Sequence, residues 1–213
     1  MTISPDWAQA IDDYLAAQRV GGYPVTTQNT RRQHLQHLAR RIGVEPWEVT
    51  ADQLVNWSAE QEWAASTRHH RRVTFRSFYK WAKRTGRRKG DPSRALTKVR
   101  QTRANPRPVP QRIYLEALMR ADEDERVMLE LAYDHGMRRG EIAVSHSDDL
   151  IEDLVPTEEG RPGYSMVVHG KGSKDRVVPL TPAMARTLLD RGPGYFFTGE
   201  IDGHISDLSL IHI

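Results

Sequence analysis

Tyr164-Ser165-Met166-Val167-Val168-His169-Gly170-Lys171-Gly172-Ser173-Lys174-Asp175-Arg176-Val177-Val178-Pro179-Leu180 spells a β-hairpin. Residues 164–169 and 176–180 are rich in valine and other strand formers, and 170–175 between them form a turn sequence with two glycines. Lys171 stands between those glycines, so its ammonium meets little steric cover when a ligand approaches. Lysine is also common in exposed turns, so the hairpin alone does not assign a chemistry.

Upstream lies Tyr133-Asp134-His135-Gly136-Met137-Arg138-Arg139-Gly140-Glu141-Ile142-Ala143. Residues 111–121 and 124–137 are expected to be helical, with Ile113, Leu115, Leu118 and Met119 on one and Val127, Met128, Leu131 and Ala132 on the other. Gly136 ends the second helix and lets the chain turn. Arg138 is expected in the first turn of the next helix, three residues before Glu141, and at i, i+3 the carboxylate would hold the guanidinium in one orientation. Arg139 projects about 100° away on a helix, so only one of the two arginines can face a given ligand.

The charge of the chain is divided unevenly. Residues 1–105 carry 19 Lys and Arg against 9 Asp and Glu, a net of +10, whereas residues 106–213 carry 12 against 19, a net of −7. Such asymmetry points to two modules, one of which meets a polyanion; a merely solvated basic surface is the plainer reading. Gly86, Gly90 and Pro92 break the preceding helix, and Pro106, Pro108 and Pro110 favour extended backbone. The expected division is a helical domain over 1–100, a linker over 101–110 and a second domain over 111–207.

The first domain reads as four helices, over 5–19, 27–42, 51–64 and about 66–85, with Ser4, Thr50 or Ala51, and Ser66 near their starts. In the fourth, Arg68, Arg72, Arg76, Lys80 and Arg84 recur at every fourth position and share one face, while Phe75, Phe78, Tyr79 and Ala82 form an apolar stripe. No Asp or Glu lies between Glu62 and Asp91. Each like-charged i, i+4 pair costs a few tenths of a kcal/mol, which a phosphate backbone would offset. Thr67, Arg68, Arg71, Arg72, Arg76, Lys80 and Arg84 are therefore the expected nucleic-acid contacts.

The two boxes together resemble the tyrosine site-specific recombinases, the phage integrase family. Gly136-Met137-Arg138-Arg139-Gly140-Glu141-Ile142 is similar to that family's G-x-R-x-x-E-[LI] box, and Gly170 to Leu180 to its G-K-G-x-K-x-R-x-V-P-L hairpin, 33 residues apart from Arg138 to Lys171. Residues 66–67 and 78–81 resemble the family's helical core-binding domain, and Asp91-Pro92 stands where it often has Asn-Pro. The resemblance implies an α-helical, SAM-like core-binding domain followed by an incomplete catalytic domain of mixed, mainly α structure with a small antiparallel sheet. It implies attack of a tyrosine on a DNA phosphate through a 3′-phosphotyrosine, with no metal, ATP or other cofactor. Arg138 would bind non-bridging phosphate oxygens, Lys171 would protonate the leaving 5′-oxygen, and Glu141 would support Arg138. The partners implied are double-stranded DNA and sister recombinase protomers in a tetrameric synapse.

The sequence also departs from the family. No His-x-x-Arg follows Lys171, and the only later tyrosine, Tyr195, lies in Gly194-Tyr195-Phe196-Phe197, where the phenylalanines suggest core packing. Residues 208–213, Leu-Ser-Leu-Ile-His-Ile, resemble a translated sequencing adapter, so the natural sequence is expected to stop near Asp207. The chain as given is then expected not to cleave DNA, and the alternative is a non-catalytic DNA-binding regulator or decoy. A metal-dependent nuclease is disfavoured, because Asp148, Asp149, Glu152 and Asp153 read as an acidic turn without metal-site spacing. With no Cys there is no disulfide framework and no thiolate site. No apolar run reaches the roughly 20 residues of a membrane span and no signal peptide opens the chain, so the expected location is the cytoplasm.

Overall fold

The structure, a computed structural model, describes residues 2–100, 105, 107–155, 160, 162–170, 172 and 174–206. The chain forms two compact units, residues 1–105 and 106–213. Among the described residues no helix is long and apolar enough to cross a membrane.

The first unit holds α1 (Pro5–Val20), α2 (Val25–Ala39), α3 (Ala51–Ala59) and α4 (Ala65–Arg84). Ser4 caps α1, its hydroxyl oxygen accepting the Trp7 N–H at 3.2 Å, with Pro5 at the first turn. Thr50 and Gln53 form a reciprocal capping box at the start of α3. The core is aromatic: Trp7, Tyr14, Trp57, Phe75, Phe78, Tyr79 and Trp81 are buried, and Trp47 stacks on Phe78 with centroids 5.8 Å apart. Two of these rings tie their polar edges to neighbours, Trp7 Nε1 donating to Val44 O at 2.9 Å and Tyr14 OH to Ser77 Oγ at 2.7 Å. The expected apolar stripe of α4 (Phe75, Phe78, Tyr79, Ala82) is this core's centre.

Expected boundaries are corrected at three helices. Helix α2 runs over Val25–Ala39 rather than 27–42. Helix α3 ends at Ala59 rather than 64. There the Arg68 guanidinium donates to Ser58 O at 3.1 Å and Gln61 O at 2.8 Å, satisfying carbonyls that a longer helix would have used. Helix α4 starts at Ala65 with Ala64 as N-cap, so Ser66 lies inside the helix and caps nothing.

The second unit holds α5 (Gln111–Arg120), α6 (Glu123–Tyr133), α7 (Arg139–Ala143), β1 (Leu150–Glu152), β2 (Tyr164–Gly170), β3 (Lys174–Pro179), α8 (Pro182–Asp190) and β4 (Thr198–Ile201). Strands β1, β2 and β3 make one antiparallel sheet in that order. Met166 and Val168 of β2 and Val178 of β3 turn inward against Val127, Met128 and Leu131 of α6, Ile142 of α7, Met184 and Leu188 of α8, and the buried Phe196 and Phe197. This unit's core is richer in methionine, and the first unit's is richer in aromatic rings.

The hairpin is tighter than its sequence suggests. Gly170 pairs with Lys174, so the strands run closer to the tip than the turn expected over 170–175. A Cβ on Gly170 would lie 2.6 Å from Lys174 O, and Gly172 has φ +80°, so both positions require glycine. The segment around Asp148 to Asp153, expected as a bare acidic turn, contains β1. Leu150 pairs with Met166 and Glu152 with Tyr164, and the Asp153 carboxylate accepts from Ser165 Oγ at 2.7 Å.

Candidate functional site

Gly136, in the left-handed region at φ +63°, reverses the chain after α6 and delivers it to α7. Arg138 is the N-cap of α7, one position before the first turn in which it was expected. The reason is Glu141, whose Oε2 accepts the Arg138 backbone N–H at 2.7 Å as a capping box requires. The same carboxylate takes the Arg138 side chain, Nη1 to Oε1 at 2.8 Å. The guanidinium remains 75% exposed while Glu141 is 7% exposed, so a buried anion presents a solvent-facing cation.

A second arginine completes the arrangement. Arg176, on β3, donates Nη1 to Glu141 Oε1 and Nη2 to Glu141 Oε2, both at 2.8 Å, with Nη2 also 3.2 Å from Gly136 O. The Arg176 hydrogen bonds are the main reason the Glu141 carboxyl falls from 4.5 to about 2, with the Arg138 backbone and side-chain bonds adding to them against the effect of burial. Two guanidinium ions and one carboxylate leave a net charge of +1 beside the hairpin. Arg176 was missed in the sequence reading although it belongs to the quoted hairpin box; position in a motif does not reveal which way a strand residue points. Lys171 lies outside the described residues, so the structure does not place it relative to Arg138. Arg139 is engaged in an interaction of its own.

Between Val144 and Asp149, chemistry gives way to packing. The Tyr195 ring is half-buried and meets His146 and His204 edge-on, with centroids 4.9 and 5.3 Å away. Among the described residues no group of three or more His, Asp and Glu side chains is arranged to hold a metal ion.

In the first unit the α4 cations divide into two sets. Arg72 Nε donates to Leu96 O at 3.0 Å and Arg76 Nη1 to Ser93 O at 3.3 Å, as Arg68 does to Ser58 and Gln61. These three are half-buried and bound to neutral carbonyls, so they are oriented without losing charge. The repulsion expected along the row is thus eased in part by the protein's own backbone. Lys80 and Arg84 are exposed, and Thr67 is half-buried. Arg71 leaves this row: Nη1 lies 3.0 Å from His37 Nδ1, and the guanidinium sits 4.5 Å over the Trp63 ring. Burial, then the Arg71 charge, holds His37 below the ordinary histidine range, so its neutral ring accepts that bond.

No family model matches the chain. It is 36% identical over 124 residues to tyrosine recombinase XerD of Ralstonia nicotianae, covering 54% of this chain and 37% of that protein. It is 24% identical over 208 residues to tyrosine recombinase XerD of Rhizobium meliloti, covering 89% and 64%. Among solved structures, a lambda integrase (residues 75–356) dimer bound to a COC′ core site superposes with a TM-score of 0.71 at 16% identity, over 95% of this chain and 77% of that one. The chain is similar to tyrosine recombinase XerD proteins and has the fold of the lambda integrase structure. A lambda integrase tetramer bound to a Holliday junction gives the same TM-score of 0.71 at 16% identity, over 97% of this chain and 63% of the other. The recombinase relatives are longer: the chain spans less than two thirds of either XerD protein.

Proposed function

We infer that the chain is the DNA-binding part and a portion of the catalytic part of a site-specific tyrosine recombinase, which breaks and rejoins duplex DNA through a 3′-phosphotyrosine. The observation that carries this reading is the buried Glu141 carboxylate presenting Arg138 to solvent with a second guanidinium behind it. Negative charge gathers on the non-bridging oxygens of a phosphate under attack, and a planar cation held in place before the reaction stabilises it without reorganising. Arg138 takes that role in this reading, Lys171 protonates the leaving oxygen, and Glu141 holds Arg138 in register.

The α4 face, with Thr67, Arg68, Arg72, Arg76, Lys80 and Arg84, lies along the duplex, with Arg71 at its edge. Carbonyl-bound arginines keep their charge and have donors to spare, which suits a phosphate backbone. The partners in this reading are double-stranded DNA and sister protomers, and the site of action is the cytoplasm. The 213 residues alone bind DNA without cutting it, because Tyr195 is committed to packing against His146 and His204.

Titration of a fluorescent duplex with the 213-residue chain across a salt series tests this reading. The expected result is an affinity that falls steeply with salt, by about a thousandfold between 50 and 200 mM if six or more phosphates are neutralised, and no nicked product with or without magnesium. A flat salt dependence contradicts the polyanion reading, and magnesium-dependent nicking contradicts the chemistry.

A further inference from the structure

At the end of β2 the His169 ring lies between two carboxylates. Its Nε2 is 3.0 Å from Asp149 Oδ1, and its Nδ1 is 3.0 Å from Asp175 Oδ1. A neutral imidazole has one N–H and can donate to one of them; two such contacts require both nitrogens to be protonated. The carboxylates belong to different parts of the unit. Asp175 is the cross-strand partner of His169 on β3. Asp149 ends the 3-10 turn Ser147–Asp149, where its other oxygen, Oδ2, accepts the His146 backbone N–H at 3.3 Å. One ring therefore joins both strands of the hairpin to the turn that leads into β1.

Among the described residues two further charged groups lie near the ring. Glu141 lines the same small cavity as Asp149 and His169, and it is already bound by Arg138 and Arg176. Lys174 stands opposite Gly170 at the next rung. The flanking carboxylates, Asp175 first and Asp149 second, raise the His169 pKa above its ordinary value.

We propose that His169 is a pH-sensitive fastening: as an imidazolium bonded on both sides, it ties both strands of the hairpin to the Ser147–Asp149 turn. Loss of the second proton leaves one contact made and one carboxylate facing a lone pair, so the hairpin is fastened at lower pH and loosens as pH rises through the raised His169 pKa.

Amide hydrogen exchange of residues 168–176 in the 213-residue chain, corrected for intrinsic rates between pH 6 and 9, tests it alongside NMR titration of the His169 ring. The wild type should lose protection by about threefold as His169 deprotonates, a size fitting two solvent-exposed ion pairs. His169→Gln should be weakly protected at every pH, and Asp149→Asn and Asp175→Asn should each shift the midpoint downward. A pH-independent hairpin, or a His169 titrating at or below the ordinary histidine value, overturns the proposal. Those outcomes leave duplex binding untouched.

Discussion

Arginine is held in two different ways in the two units. On α4, Arg68, Arg72 and Arg76 are oriented by neutral backbone carbonyls, and the row keeps its whole charge. On α7 and β3, Arg138 and Arg176 share one buried carboxylate, so their orientation is fixed more strongly and their combined charge falls to +1. The first arrangement suits many shallow contacts along a polyanion; the second suits one phosphate held in one geometry. Charge-assisted bonds are roughly twice as strong as neutral ones, so the second arrangement is also the one whose loss is felt in stability.

The largest expected effect follows from removing the shared anion. Glu141→Ala leaves two guanidinium groups facing each other and should destabilise the second unit by about 2 kcal/mol, a figure reduced from the buried-pair range because water reaches Arg138. All five tryptophans lie within residues 1–105, so tryptophan fluorescence should unfold unchanged while circular dichroism shows an earlier second-unit transition. Equal shifts in both signals would break the distinction between the units.

Acid should separate the units in the same way. The folded Glu141 pKa, about 2, lies below its ordinary 4.5, so its contribution is present above the ordinary value and is lost as pH falls toward 2. The second unit should lose stability between about pH 5 and pH 2, and Glu141→Gln should flatten that decline. A wild-type second unit as stable at pH 2.5 as at pH 6 would contradict the shared-carboxylate account.

On α4 the effects are smaller and of two kinds. Arg72→Ala removes a bond to Leu96 O and should cost about 1 kcal/mol of first-unit stability as well as DNA affinity. Lys80→Ala should leave stability within about 0.5 kcal/mol and lower the salt slope of binding by about one. Identical stability losses from the two would show that the carbonyl contacts do not matter.

Local signals in the sequence foretold the hairpin, the α4 apolar stripe and the Arg138–Glu141 pair, because all three depend on residues close along the chain. What it did not reveal was non-local. Arg176 reaches Glu141 across 35 positions, and nothing in a strand pattern names the partner of an outward side chain. Strand β1 has three residues, too few for alternation to show, and exists because β2 offers it an edge. The early stop of α3 reflects Arg68, ten residues away from Ser58 in sequence and on another helix. Counting like charges along α4 overstated their repulsion for the same reason, since the relieving carbonyls come from other segments. The placement of Lys171 was legible only as a motif position and lies outside the described residues.

The account turns on Arg138 meeting a DNA phosphate. Joining residues 1–206 to the C-terminal third of the Rhizobium meliloti relative adds the catalytic remainder that the proposed function calls for, and the fusion can select its own site from a random duplex pool. On that site the fusion should exchange strands. Arg138→Ala in the same fusion should bind within about threefold of it and exchange strands at least a hundredfold more slowly, the loss expected when a preorganised transition-state cation is removed. Strand exchange by Arg138→Ala at near the parent rate would contradict the account.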